Sequence, residues 1–498
     1  MGLLGKSGGG PTVGIDIGTN LIKVVEARPG KDGIQITALG VAPTPPDTIE
    51  NEVIVDPQTL GQAVRDLLTE SGITCKRSVS SVSGQSSVVV RIIEVPKMTR
   101  QELTEAMKWE IERHVPFPAS DVVMDFQPIE RSSTAPDDQN MEVLLAVAQQ
   151  ETINSHIETL FSAGMEPAAI DVEPLAACRS LIDISNTDAR QQTIAIINIG
   201  SAATELGVYQ NGLLAFPRTL PIAGDAITRA LSDGLNLSIQ QAERLKRERA
   251  VVLLDRAVEM SSSIGMPDIQ PIGGHEDSGE PLDISTPTED AADDSDMGFI
   301  PALSYGPDTE SESTSSDAPD FDIDVGESPE PPKPVMDFDL SAGEEKASVI
   351  EIPSELDQPI ENETEADDLS EPQVNDLSIK EEEKEEEVIQ PGEFSQETVF
   401  DAMMTVLNDL IAEIRRSLEY YASRFQNQPD RIMLCGGTAK LKDLDKLIES
   451  ELGIPVVLAN PLENVQAFSS TLSQDYLEEV AVIFPVSAGL AIRDMIGE

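Results

Sequence analysis

VGIDIGTN at residues 13–20 returns as AIINIGSA at residues 195–202, 182 residues further along the chain. Each copy runs an apolar strand into an acid or an amide, then a glycine, then a hydroxyl side chain. Because glycine has no Cβ, the turn after each strand can aim backbone N–H groups and the hydroxyl at an anion. The repeat indicates a duplicated domain whose two turns face each other and hold a polyphosphate.

The chain is acidic, but its charge is unevenly distributed. The formal net charge is −56 over 498 residues. Residues 256–395 hold 41 acidic and 5 basic side chains, a net of −36, whereas the remaining residues hold 49 and 29, a net of −20. Phosphate backbones are bound by clustered lysine and arginine, and no basic stripe occurs here. We therefore expect no nucleic-acid partner.

Residues 256–395 predict a long, disordered acidic insertion. They are rich in proline, serine and acids, and their apolar residues follow no period, so they cannot bury enough surface to offset chain entropy. Two interpretations remain open for this segment. We favour a solvating loop; the other is an arm that docks on a partner through short apolar stretches at 337–340 and 347–352.

Cysteine usage and hydropathy indicate a cytoplasmic protein without a membrane span. Cys75, Cys178 and Cys435 are far apart, and neither they nor the three scattered histidines show the spacing of a metal site. They are typical of reduced thiols in a cytosol. No apolar run reaches the roughly 18 residues that a membrane helix needs.

A small strand-helix-strand-strand unit is predicted within residues 95–148. Its helix, over 100–115, begins at Thr99 with a capping box to Glu102, three residues further on. The unit has its own apolar face, which makes it a candidate interaction module. We expect Trp109 to pack against the sheet of this unit.

Further motifs join the two repeats and carry a resemblance to known families. EPLAA at 173–177 and CGGTA at 435–439, with the two turns, resemble the actin/DnaK-type ATPases. A second set of motifs resembles the PilM family of actin-like type IV pilus assembly proteins: VPKMT at 95–99, EAMKWE at 105–110, VPFP at 115–118 and AGMEP at 163–167. This similarity covers about residues 12–255 and 395–497, so the acidic insertion falls outside it.

The resemblance implies an α/β, actin-like (ribonuclease H-like) fold of two lobes with a small inserted α+β subdomain. The implied parts are a first lobe at 12–94, completed by 164–192 and 482–497; the inserted subdomain at 95–163; a second lobe at 193–255 and 396–481; and the disordered insertion at 256–395.

The resemblance also implies ATP and Mg²⁺ as ligands between the lobes. Asp16 would face the metal-bound phosphates, with Lys23 nearby as a cation. The β- and γ-phosphates would be held by Gly18, Thr19 and Asn20 from the first turn and by Gly200, Ser201 and Ala202 from the second. Gly436, Gly437 and Thr438 would lie against the adenosine and the α-phosphate, where glycine lets a helix N-terminus approach the nucleotide.

Glu243 and Lys246 lie three residues apart on a predicted helix, hence on one face. They resemble the Glu-x-x-Lys pair that brackets ribose and adenine in DnaK-type chaperones. An ordinary solvent-exposed ion pair is the other interpretation of this spacing.

Two residues bear on hydrolysis. By resemblance, Glu173 would position the attacking water, whereas Asn198 stands where the family pattern has a second aspartate. An amide cannot accept a proton from water or add negative charge to hold a cation. With Asp16, these residues form the candidate catalytic set, and they predict at most a slow ATPase.

Three functional classes follow, of which we favour the first. It is an adaptor that binds ATP and, by the PilM resemblance, the cytoplasmic tail of a PilN-like inner-membrane protein; it would connect to the pilus assembly motor and lie at the inner membrane through that partner. The second is a small-molecule kinase, for which Asp225 is the nearby candidate base, although it fits better as the start of a helix. The third is an FtsA-like filament of identical subunits.

Overall fold

The computed structural model describes residues 10–31, 33–129, 139–183, 191–263, 394–463, 466–467 and 474–495. The architecture below belongs to one contact-defined unit, residues 1–276 and 386–498. The other unit, residues 277–385, lies outside the described residues, as does nearly all of the predicted acidic insertion.

The strands are, in chain order, β1 (Thr12–Ile17), β2 (Leu21–Gly30), β3 (Gly33–Pro43), β4 (Ile49–Glu50), β5 (Val53–Ile54), β6 (Arg77–Val82), β7 (Val88–Pro96), β8 (Val122–Ile129), β9 (Asn140–Gln149), β10 (Glu166–Val172), β11 (Thr193–Ile199), β12 (Thr204–Gln210), β13 (Leu213–Leu220), β14 (Arg431–Cys435), β15 (Val456–Leu458) and β16 (Gln466–Ala467).

The helices are, in chain order, α1 (Pro57–Glu70), α2 (Arg100–His114), α3 (Gln150–Ser162), α4 (Glu173–Leu181), α5 (Gly224–Leu235), α6 (Ile239–Arg249), α7 (Leu254–Ser263), α8 (Gln396–Phe425), α9 (Leu444–Leu452), α10 (Gln474–Val480) and α11 (Pro485–Ala491). Short 3₁₀ turns occur at Ala119–Asp121, Gly437–Lys440 and Ala481–Ile483. Among the described residues, no helix combines the length and the apolarity that a membrane crossing requires.

The first lobe is built on a mixed sheet in the order β10-β6-β1-β2-β3-β16. The hairpin β1-β2 is antiparallel, while β6 runs parallel to β1 and β10 runs parallel to β6. Helices α1 and α3 cover one face over a core that includes Val13, Leu60 and Leu160. Helix α11 lies on β1 so closely that a Cβ at Gly14 would stand 2.0 Å from the carbonyl oxygen of Ser487.

The second lobe repeats this plan in the order β13-β12-β11-β14-β15. Its hairpin β11-β12 is antiparallel, and β14 runs parallel to β11 as β6 does to β1. The long helix α8 buries a stripe that includes Met403, Leu407, Ile414 and Tyr421 against this sheet. The predicted α/β fold of two similarly built lobes is therefore confirmed.

The inserted unit is a three-stranded antiparallel sheet, β7-β9-β8, covered by α2. The capping box between Thr99 and Glu102 is present. Trp109, however, is 70% exposed, so its predicted packing against the sheet is wrong. Leu103, Met107 and Ile111 form the buried stripe at intervals of four residues, and two steps of 100° place the tryptophan on the opposite side of the helix from Met107.

The beginning of the predicted insertion needs a correction. Residues 256–263 continue helix α7, with Ala257 buried, and Arg256 forms an ion pair with Asp401 on α8. The acidic composition of the whole segment predicts disorder, but its first residues carry a short apolar stripe that packs this helix against the second lobe. Residues 264–393 of the predicted insertion lie outside the described residues.

Candidate functional site

A cleft of about 530 Å³ opens between the two sheets, and residues of both lobes line it. The sequence-predicted site residues all contribute to its lining: Asp16, Gly18, Thr19, Asn20, Lys23, Glu173, Asn198, Gly200, Ser201, Ala202, Glu243, Lys246, Gly436, Gly437 and Thr438. The structure thus brings together groups that are up to 422 positions apart in the sequence, from Asp16 to Thr438. Their roles toward a nucleotide remain a prediction.

The two repeated turns have the same local geometry. The N–H of Gly18 donates to the carbonyl of Leu21 at 3.1 Å, and the N–H of Gly200 donates to the carbonyl of Ala203 at 3.1 Å. Each turn joins the first two strands of its lobe's hairpin. The sequence repeat is therefore a structural repeat, with the glycine as the first residue of each turn.

The equivalent hydroxyls of the two turns contact each other inside the cleft. Thr19 and Ser201 share a hydrogen bond between their side chains. Both residues line the cleft, so a phosphate that reached both turns would replace this direct contact. The two turns therefore face each other, as the sequence repeat predicts.

The strand pairs behind the two turns carry different charges. Asp16 faces Lys23 across β1-β2, and their carboxylate and ammonium groups form an ion pair of 2.8 Å with little exposure. The matching positions across β11-β12 hold Asn198 and Glu205. The first lobe thus offers a neutralised acid, and the second offers an amide next to an acid.

Two acids at the floor of the cleft are held by hydrogen bonds. Glu173 accepts from the hydroxyl of Ser83 at 2.6 Å and from the amide of Asn198 at 3.2 Å. Burial and the neighbouring Asp16 carboxylate raise the pKa of Glu173. Burial, together with the Glu173 charge, raises the pKa of Glu205 to about 8, although the hydroxyl of Thr219 donates to it at 2.9 Å.

The CGGTA motif forms a tight turn beside the second-lobe glycine. Gly436 has a φ of +95°, and a Cβ there would lie 2.4 Å from the carbonyl oxygen of Ile199. A Cβ at Gly437 would meet nothing within 4 Å, so this residue borders open space. The hydroxyl of Thr438 donates to the carbonyl of Gly200 at 2.8 Å. The expected α-helix N-terminus is instead a single 3₁₀ turn.

Glu243 and Lys246 do form an ion pair, with a separation of 2.6 Å, but it is not solvent-exposed. Their side chains are 22% and 13% exposed and line the cleft. Burial acts to raise the pKa of Glu243, but hydrogen bonds from Lys246 and Thr228 outweigh it and lower the pKa to about 2. Arg247 donates to the same carboxylate at 2.7 Å.

The lining also includes residues that the sequence does not predict: Glu52, Ser83, His156, Glu205 and Arg247. Glu205 does carry a signal in the sequence, since it is the single acid of β12 and lies opposite Asn198. The others carry no motif. Asp225, the base considered for a kinase, lies in the first turn of α5 and is absent from the described lining of the cleft. Among the described residues, no three His, Cys, Asp or Glu side chains gather as a metal site.

Comparison with known proteins identifies two overlapping families. The family model of the type IV pilus assembly protein PilM matches residues 14–252, and that of the cell division protein FtsA matches residues 195–474. FtsA of Bacillus subtilis is 25% identical over 269 residues, which are 50% of this chain and 60% of that protein. FtsA of Pseudomonas aeruginosa is 24% identical over 263 residues, 48% of this chain and 61% of that protein. The chain thus spans about 60% of the length of these relatives.

Among solved structures, a PilM-PilN type IV pilus biogenesis complex matches with a TM-score of 0.63 and 22% identity, covering 98% of this chain and 99% of that chain. This similarity shows that the two-lobed fold is the actin-like one. The FtsA model spans 280 of the 498 residues, so the chain belongs to the actin-like family that this model describes, and it is PilM-like.

Proposed function

We propose that this chain is an ATP-binding adaptor of the type IV pilus assembly machine, which binds the cytoplasmic tail of a PilN-like inner-membrane protein according to its nucleotide state. The observation that carries the proposal is the meeting of Thr19 and Ser201, equivalent residues of two equivalent turns, inside a cleft lined by both lobes. A chain of phosphates is the ligand that two such facing turns fit.

The size of the cleft supports a nucleotide as its ligand. Its volume of about 530 Å³ lies within the roughly 300–1,000 Å³ that small-ligand sites occupy. Gly437 borders open space, so a flat ring or a sugar could lie directly on its backbone. Lys246, with its ammonium group on the carbonyl of Gly224 and the hydroxyl of Thr228, is positioned on the second-lobe wall.

The charges of the cleft favour a nucleotide that carries a divalent cation. Burial keeps the proton on Glu205 at neutral pH and raises the pKa of Glu173. The other acids of the lining, Asp16, Glu52, Glu243 and Glu479, are matched in number by its bases, Lys23, Lys246, Arg247 and Lys440. The cleft therefore has no excess of positive charge to neutralise a bare triphosphate. Mg²⁺ keeps several waters and commonly takes one or two carboxylates besides phosphate oxygens, and Asp16 is the carboxylate that would hold it. The cation would screen the phosphate charge.

The floor of the cleft favours binding over turnover. In the structure both oxygens of Glu173 already accept hydrogen bonds, one from Ser83 and one from Asn198. A carboxylate engaged in this way is poorly placed to orient or deprotonate a water. We therefore expect at most slow hydrolysis, so that bound ATP acts as a lasting signal.

The partner is proposed from similarity. The matched solved structure is a complex of PilM with PilN. The family model of PilM matches residues 14–252, which include the inserted sheet and most of the first lobe. Closure of the two lobes on ATP would change the relative positions of the surfaces that such a tail contacts. Binding of an inner-membrane protein would place the chain at the membrane surface and connect it to the assembly motor.

Titration calorimetry with Mg-ATP on the full chain tests the nucleotide part of the proposal. We expect binding by the parent and none by Asp16→Ala, because the carboxylate that would hold the cation is gone. Asp171→Ala is the matched control, since it also breaks an ion pair of low exposure, to Arg179 at 2.7 Å, but outside the described lining of the cleft. Equal affinity of Asp16→Ala and the parent would contradict the site.

A peptide with the sequence of a PilN-like cytoplasmic tail tests the adaptor part. We expect its affinity for the parent chain to differ between Mg-ATP and the nucleotide-free state, measured by fluorescence anisotropy. The Asp16→Ala variant should show one affinity under both conditions. No binding of the tail under any condition would refute the adaptor role.

Self-assembly is a second candidate, because the FtsA family model also matches the chain. Sedimentation of the parent with and without Mg-ATP distinguishes it. A nucleotide-dependent pellet would favour filaments, whereas a constant supernatant fraction would favour the adaptor.

A further inference from the structure

Two side chains of helix α6 contact the first lobe at the rim of the cleft. Arg247 donates through Nη2 to the side-chain oxygen of Asn20 at 3.0 Å and through Nε to Glu243 at 2.7 Å. The amide of Asn20 donates to the same oxygen of Glu243 at 3.4 Å. Arg247 is 51% exposed, so this closed triangle of three side chains stands where the cleft meets solvent.

Two corners of the triangle, Glu243 and Asn20, are each fixed to their own lobe. Glu243 also accepts from Lys246 and from Thr228, both at 2.6 Å, which ties it to α5. The backbone carbonyl of Asn20 accepts from the N–H of Thr44 at 3.1 Å, which ties the first turn to the end of β3. Separation of the lobes would therefore break the contacts of Asn20 before those that hold Glu243.

We infer that Arg247 and Asn20 form a latch across the mouth of the cleft that sets the rate at which nucleotide enters and leaves. This inference rests on the proposed function, but it assigns a regulatory role to Arg247, which the predicted nucleotide site does not include. The latch joins the two lobes across the mouth of the cleft. Entry of a nucleotide between the turns requires the latch to open, and so does its release.

The kinetic consequence separates a latch from a direct ligand contact. Loss of a contact that closes both the empty and the filled cleft raises the association and dissociation rates by the same factor and leaves the affinity unchanged. Loss of a contact to the nucleotide itself raises the dissociation rate alone. A hydrogen bond to a charged group is worth more than roughly tenfold when it is buried, and solvent screening at the half-exposed Arg247 reduces this to a factor of about five.

Stopped-flow binding of a fluorescent ATP analogue with Mg²⁺, and release of radiolabelled ATP in a chase, test the inference on the full chain. For Arg247→Ala we expect both rates to rise about three- to tenfold. The matched control is Arg244→Ala, because Arg244 pairs with Glu248 at 2.9 Å on the same helix, also four residues apart, without touching the first lobe in any described contact. Its rates should equal those of the parent.

Hydrogen exchange of the nucleotide-free protein gives a second readout that does not need ATP to bind. We expect faster exchange in peptides covering residues 18–22 for Arg247→Ala than for the parent or the control. Unchanged rates and unchanged exchange would refute the latch, and so would a loss of affinity with an unchanged association rate. Failure of the parent to bind Mg-ATP would refute the proposed function, while the exchange comparison would still decide the latch.

Discussion

Replacement of Glu205 by glutamine should make the protein more stable, and increasingly so as the pH rises. The folded structure raises the pKa of Glu205 from its ordinary value of 4.5 to about 8. Between these two values the folded protein keeps the proton and the unfolded chain releases it, so each rise in pH favours unfolding. A glutamine at this position carries no such proton and loses no stability in this range.

The size of the effect follows from the displaced pKa. Each pH unit between the unfolded and folded values lowers the free energy of unfolding by about 1.4 kcal/mol. Between pH 5.5 and pH 8 the free energy of unfolding therefore falls by about 3 kcal/mol. Glu205 lines the cleft, so water screens its charge, and about 2 kcal/mol is the lower bound of this fall. Glutamine can still accept the hydrogen bond from Thr219, which donates to Glu205 at 2.9 Å.

Urea unfolding followed by circular dichroism measures this difference at pH 5.5, 6.5, 7.5 and 8. We expect the difference in the free energy of unfolding between Glu205→Gln and the parent to grow by about 2 to 3 kcal/mol from pH 5.5 to pH 8. Glu26→Gln is a control, because Glu26 also accepts a threonine hydroxyl on a neighbouring strand, from Thr37 at 2.6 Å, away from the described cleft lining. A gain for Glu205→Gln that is constant with pH, or no larger than that of the control, would contradict the reasoning.

Three further predictions concern the site and the insertion. Asn198→Asp should raise the steady-state ATPase rate at least about tenfold, because it removes the amide that occupies Glu173; an unchanged rate would show that another step limits turnover. Gly437→Ala should fold normally but weaken Mg-ATP binding at least about tenfold in calorimetry, since its methyl group enters open space, whereas Gly436→Ala should lower the free energy of unfolding by more than about 2 kcal/mol. Deletion of residues 264–393, which spares α7 and its ion pair to α8, should leave Mg-ATP binding intact, and a pulldown that loses partners only in this deletion would identify the segment as a docking arm.

The two turns could be predicted from sequence because their requirements are local. A strand, a glycine and a hydroxyl residue fix a turn within a few positions, and the repetition at residues 13–20 and 195–202 shows that two such turns exist. Helix boundaries with strong local signals were also predicted closely, as the capping box at Thr99 and Glu102 shows. Such features depend on neighbours in the chain.

The missed residues depend on tertiary contacts instead. Arg247 lies on a helix rich in charge, and only the approach of Asn20 from the other lobe distinguishes it from Arg244. Trp109 is exposed because its helix turns its other side, with Leu103, Met107 and Ile111, toward the sheet, and this spacing is present in the sequence. The close approach of Gly436 to the backbone of Ile199, at the end of β11, likewise joins distant parts of the chain.

The tight seat of α11 on the first lobe has a consequence for the order in which the lobes can form. Strand β1 comes early from the ribosome, but the helix backbone that lies against Gly14 belongs to residues 485–491. Until those residues emerge, one side of the first hairpin lacks its native cover, and so does Ala176 of α4, against which Gly489 packs. The strands of the second lobe, between residues 193 and 458, are complete before then. During synthesis the first lobe is therefore begun before the second lobe but completed after the strands of the second lobe.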